Sequence, residues 1–109
     1  MAKCPELVIP IKTKIIPSKF QLGGTTITVE YVDKCSESSS DTDGQALYTK
    51  SKIELKKSDE CSQDYKEFVF YHELVHHIFY AMSEDDLRKN ESIVNRFATL
   101  LQQFINTME

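Results

Sequence analysis

The chain has 109 residues, 40% of them hydrophobic and 28% charged, with Lys+Arg 13 against Asp+Glu 17 for a net charge of −4. That length suits one domain around one hydrophobic core, and an acidic balance without a basic stripe excludes the usual electrostatic footprint of a nucleic-acid binder. No apolar run has the length of a signal peptide or a membrane span, so a cytoplasmic protein with no membrane partner is expected.

In chain order, Leu7 to Ile16 is rich in β-branched residues but carries Pro10 and is followed by Pro17, which suits an edge strand or an extended arm. Phe20-Gln21-Leu22, Gly23-Gly24 and Thr25 to Val32 read as a hairpin, because the glycine pair tolerates the positive φ angles of a two-residue turn. In its second arm Ile27, Val29 and Tyr31 alternate with Thr28 and Glu30, so one face is expected to be buried. Cys35 to Gly44, "CSESSSDTDG", has no large apolar residue and reads as a solvated loop. Ala46 to Thr49 and Ile53 to Leu55 follow as short strands. Lys56 to Glu67 leads into a helix, with Ser58 as a candidate N-cap and Asp59 and Glu60 in the first turn.

The first helix is expected from about Ser62 to Met82, a polar turn from Ser83 to Asn90, and then a second helix. Ile93, Val94, Phe97, Leu100, Leu101, Phe104 and Ile105 recur there at helical spacing. The expected fold is therefore α+β in a single domain. Residues 1–56 supply strands and loops, taken as a small antiparallel sheet, and residues 57–109 supply two helices. Cys4, Cys35 and Cys61 are far apart and form no CxxC pair, which favours reduced structural thiols.

All three histidines, His72, His76 and His77, fall within the apolar stretch "FVFYHELVHHIFYAM". A buried imidazole must find a partner, so their gathering on one apolar helix points to a ligand. His72-Glu73-Leu74-Val75-His76 is an HExxH pattern. Histidines four apart share a helix face and can direct ring nitrogens at one ion, and the intervening glutamate stands beside it as a general base. His77, five residues after His72, fits a packed or hydrogen-bonded histidine better.

Zinc needs a third protein ligand. An HExxHxxGxxH pattern would require Gly at position 79 and His at position 82, but Phe79 and Met82 stand there, and no histidine remains elsewhere. The third ligand is then a carboxylate or, less favourably, a cysteine. Of Glu84, Asp85, Asp86, Glu91 and Glu109, the first three fit a solvated turn. Glu91 shares a helical stripe with Val94, Asn95 and Ala98 that continues to Leu101 and Ile105, and is favoured. One zinc per chain, held by His72, His76 and Glu91, is the expected cofactor.

His72-Glu73-x-x-His76 followed by Asn90-Glu91-x-x-x-Asn95 resembles the gluzincin pattern, and is similar to the small ImmA/IrrE-like and phage-type metallopeptidases. The resemblance covers roughly residues 68–101. It implies a minimal zincin-like fold and a zinc-dependent metallopeptidase acting on a peptide or protein substrate. It also implies a role for Asn95, where such enzymes often carry an aspartate: its carbonyl oxygen would accept from a ligand imidazole and orient it. A substrate strand along the edge near Ala46 to Thr49 is likewise implied.

The site's own chemistry leads to the same expectation, since three protein ligands leave zinc one position for a water whose proton Glu73 takes during attack on a peptide carbonyl. Tyr48, Tyr71, Tyr80 and His77 are the candidate donors to the oxyanion. The competing reading is a catalytically silent zinc-binding interaction or regulatory module, of phage origin. The oligomeric state is left open.

Overall fold

The computed structural model describes residues 16–36, 42–58 and 60–109. Within them the elements follow in the order β1 (Lys19–Leu22), β2 (Thr25–Val32), β3 (Gly44–Leu47), β4 (Lys52–Lys56), α1 (Gln63–Ala81), α2 (Asp85–Arg88) and α3 (Glu91–Thr107). The class is α+β. The predicted arm from Leu7 to Ile16 lies outside the described residues except for Ile16, which packs against the core. The centre of the serine-rich loop, residues 37–41, also lies outside them.

The glycine pair makes the predicted hairpin. Gly23 and Gly24 adopt φ +59° and +82°, and β1 pairs antiparallel with β2 from Leu22↔Thr25 to Lys19↔Thr28. Ile27 and Val29 are buried as their alternation predicts, but Tyr31 is half exposed.

The sheet is mixed rather than antiparallel. Its order is β1-β2-β4-β3, with β2 and β4 parallel (Val29↔Ile53, Tyr31↔Leu55) and β3 antiparallel to β4 (Ala46↔Ile53). The β3–β4 hairpin turns through residues 48–51, where Ser51 takes φ 52°, and folds back so that β4 enters between β2 and β3. Composition explains why β4 holds the inner position: Ile53, Glu54 and Leu55 are all buried, so both of its faces are covered. Glu54, on the face opposite Ile53 and Leu55, accepts from the backbone N–H of Ser36 at 2.9 Å and from its hydroxyl at 3.1 Å. The buried Cys35 thiol donates to the Thr42 carbonyl at 3.6 Å, joining the two sides of the serine-rich loop.

Helix α1 begins at Ser62, whose hydroxyl accepts from the Tyr65 N–H at 3.1 Å; the predicted cap Ser58 instead accepts from Glu60 N–H. Its C-terminal end turns at Ser83, in the left-handed region at φ 60°, with Ser83 and Glu84 N–H groups bonded to Tyr80 and Phe79 carbonyls. The predicted polar turn holds the single-turn helix α2, so three helices form where two were expected. Helix α1 packs on β3 and β4, and α3 packs on α1. Ile53 of the sheet, Val75 of α1 and Val94 and Ala98 of α3 have no exposed surface. Burying each of the larger three contributes about 1.5–3 kcal/mol, and Ala98 lets the helix backbones approach. The predicted apolar positions of α3 exceed one face, leaving Phe97, Leu100 and Phe104 largely exposed.

At Gly44 the sheet and helix α1 approach closely. A Cβ there would lie 2.5 Å from Val69 Cγ1 and 3.3 Å from both Cγ and Oε2 of Glu73. Gly→Ala at an unstrained position stabilises by about 0.4–1 kcal/mol through the unfolded chain, but overpacking costs about 1–3 kcal/mol. Gly44→Ala is therefore expected to lower stability by about 1–2 kcal/mol in denaturant titrations; an unchanged or raised midpoint would contradict this packing.

Candidate metal centre

Helix α1 sets His72 and His76 one turn apart on the face toward α3. Asn90 caps α3 by accepting from the Ile93 N–H at 3.1 Å, which makes Glu91 the first helical residue, where a negative charge is favoured. The Glu91 carboxylate spans both rings. Oε1 lies 3.0 Å from His72 Nε2 and Oε2 lies 3.2 Å from His76 Nε2, with the two nitrogens 3.2 Å apart. Zinc bonded to N and O at about 2.0–2.1 Å in tetrahedral geometry would separate its ligand atoms by about 3.3 Å. The spacing fits, and the cluster His72, His76 and Glu91 can hold a metal ion.

The other candidate ligands among the described residues stand outside this cluster. Asp85 and Asp86 lie in the first turn of α2, where Asp85 pairs with Arg88 at 3.3 Å. Among the described residues neither Cys35 nor Cys61 joins the cluster.

Burial holds the His76 imidazole below its ordinary pKa; the Glu91 carboxylate pulls it back up and the neighbouring His72 pushes it further down. The Arg88 backbone carbonyl also favours the charged ring, although His76 Nδ1 completes no hydrogen bond among the described residues. Asn95 lines the cleft beside His72 and Glu73, but its side chain makes no hydrogen bond to either histidine among the described residues; only its backbone carbonyl is engaged, by Thr99.

Glu73 is only 8% exposed and stands beside the cluster without joining it. Burial, then the Glu91 charge, pushes its carboxyl up to about 8, partly offset by the Ala46 backbone N–H. A cation among the three ligands would act in the opposite sense to Glu91. Gly44, placed in the loop by sequence reasoning, is what admits the Glu73 side chain against β3. A glycine at a strand end was the available signal for such a close approach.

The four candidate oxyanion donors separate. His77 is buried and donates Nε2–H to the Lys52 carbonyl at 3.0 Å, and Tyr71 belongs to the core. Tyr48 and Tyr80 stack at 4.7 Å with the Arg88 guanidinium 5.0 Å over Tyr48. Burial raises the Tyr48 phenol, Arg88 lowers it, and the Glu73 and Glu91 charges add to the rise. At the other end of the cleft, the Tyr65 hydroxyl donates to Asp43, tying α1 to the residue before β3. Sequence reasoning did not single out this bridge, since nothing in the spacing of residues 43 and 65 signals it.

Comparison with protein-family models, curated proteins and solved structures finds no match for this chain.

If the cluster holds its ion, elemental analysis should find one metal per chain in the wild type and strongly reduced metal in Glu91→Ala; full occupancy in that variant would remove Glu91 from the ligand set. The Asp43 bond and then burial push the Tyr65 phenol up to about 12. Because that lies above the ordinary value near 10, the bond's contribution is complete below about pH 10 and is lost as pH rises through about 12. A spectrophotometric titration should show a tyrosine ionising at about 12 that Asp43→Asn returns toward 10; an unmoved titration would dismiss the bridge.

Proposed function

We propose that the chain is a zinc-dependent metallopeptidase with a minimal gluzincin-type, zincin-like site, hydrolysing peptide bonds in a peptide or protein substrate. The observation that carries this reading is the pairing of two different carboxylates with the histidines. Glu91 closes a three-donor cluster, while Glu73, one residue from His72, stays out of it and is buried beside it. A purely structural site has no use for that second carboxylate. Two imidazoles and one carboxylate are also a donor set typical of catalytic zinc.

When bound, zinc supplies Lewis acidity that polarises a carbonyl oxygen and lowers the pKa of water. The remaining work falls to the chain's own groups. A Glu73 carboxylate oxygen accepts the proton of the attacking water and delivers it to the leaving amine nitrogen. Gly44 and Ala46 hold that carboxylate in place, the first by leaving room and the second through its N–H. Among the described residues strand β3 lies at one edge of the sheet, beside β4, which is where a substrate would be added as a strand. Tyr48, just past the end of β3, is the best-placed donor to the developing oxyanion.

Glu73→Gln tests the reading. Glutamine is nearly isosteric and helix-compatible, so fold and zinc should persist while hydrolysis of a peptide library, read by mass spectrometry, falls by at least about 10²–10⁴-fold. Undiminished cleavage by the zinc-loaded variant would overturn the assigned role. Zinc bound by both proteins with no cleavage by either would favour the interaction module.

A further inference from the structure

The cleft in front of His72 and Glu73 does not end at the Asp43–Tyr65 bridge. Asp43, Tyr65 and Val69 also line a second cavity of about 200 Å³, on the far side of that bridge from the histidines. Its walls include the buried Leu55 and Val69 and the half-exposed Tyr31, and Lys56, Lys57 and Lys66 contribute to its lining.

We propose that this cavity is a substrate side-chain pocket of the peptide cleft, accepting one large apolar side chain that is flanked in the peptide by acidic residues; the proposal rests on the peptidase reading. Size argues for one side chain, because cavities that hold drug-sized molecules run to about 300–1,000 Å³. Charge argues for acidic neighbours, because three lysines gather here in a chain whose net charge is −4. Lys57 meets Asp33 only at 3.7 Å with both side chains largely exposed, a weak pair that a substrate carboxylate can displace. Reach sets the position. Val69 lies four residues before Glu73 on α1, about 6 Å along the helix, which an extended peptide covers in about two residues. The favoured apolar residue therefore sits about two positions from the bond that is cut. Tyr31, half exposed against its expected place in the core, is explained as a wall of this pocket.

The test pairs binding with cleavage. Zinc-loaded full-length Glu73→Gln protein is titrated with two capped pentapeptides, a central leucine flanked by glutamates or by lysines, and followed by NMR. The glutamate peptide should shift the Leu55 and Val69 methyl signals and the Lys66 amide. Lys57→Glu combined with Lys66→Glu should weaken it about ten-fold and reverse the preference toward the lysine peptide. Unshifted Leu55 and Val69 signals, or equal binding of both peptides, would overturn the proposal. In parallel, wild-type zinc-loaded protein is given a peptide library. Binding as described without any cleavage keeps the pocket and removes the peptidase reading. Cleavage with the cavity signals unmoved removes the pocket and keeps the peptidase.

Discussion

His72 and His76 present Nε2 atoms 3.2 Å apart to the two oxygens of one carboxylate, and that arrangement can hold a cation among its members. As neutral Nε2–H tautomers the two rings donate one to each carboxylate oxygen; with both protons on Nδ1, all three groups turn lone pairs toward one point. A cation answers all three donors at once. Because the histidines are on α1 and the carboxylate opens α3, a cation held there would tie the outer helix to the one that lies on the sheet. Val94 and Ala98, fully buried below Glu91 on α3, hold the helices close enough for the carboxylate to span both rings.

This places an unusual load on α1. The helix is at once the main packing partner of the sheet and the carrier of buried Glu67, Glu73, His76 and His77. Each polar group needs its own answer to desolvation. His77 finds the Lys52 carbonyl, Glu67 takes the Gln63 amide at 3.2 Å but leaves Oε1 without a hydrogen bond among the described residues, and Glu73 leans on the Ala46 N–H. The core is stable around these groups because Ile53, Val75 and Val94 close it completely. No helix among the described residues is long and apolar enough to cross a membrane; the apolar residues of α1 pack in the core with those of the sheet and α3.

Local rules made much of this legible. Paired glycines require a turn, alternation in β2 marks a buried face, and i, i+4 histidines share a helix side. Glu91 could be singled out because helical spacing puts it in line with Val94 and Ala98. What escaped the sequence depends on contacts between distant segments. Parallel pairing of β2 with β4 follows from where a hairpin inserts, which no strand's own pattern encodes. Ser58 and Ser62 are equally good caps by residue type, and only the packing of α1 decides between them. The solvent-facing position of Asn95, the exposure of Tyr31 and the close approach at Gly44 are likewise set by neighbours far along the chain.

Whether one cation sits among the three donors decides how the two helices and the two carboxylates are to be understood. Crystals of the zinc-loaded wild-type protein, measured on both sides of the zinc absorption edge, test it directly. A single anomalous peak is expected, bonded to His72 Nε2, His76 Nε2 and a Glu91 oxygen at about 2.0–2.2 Å, with the Glu73 carboxylate nearby but unbonded. A peak held by other residues, a peak ligated by Glu73, or no peak between the two helices would contradict it.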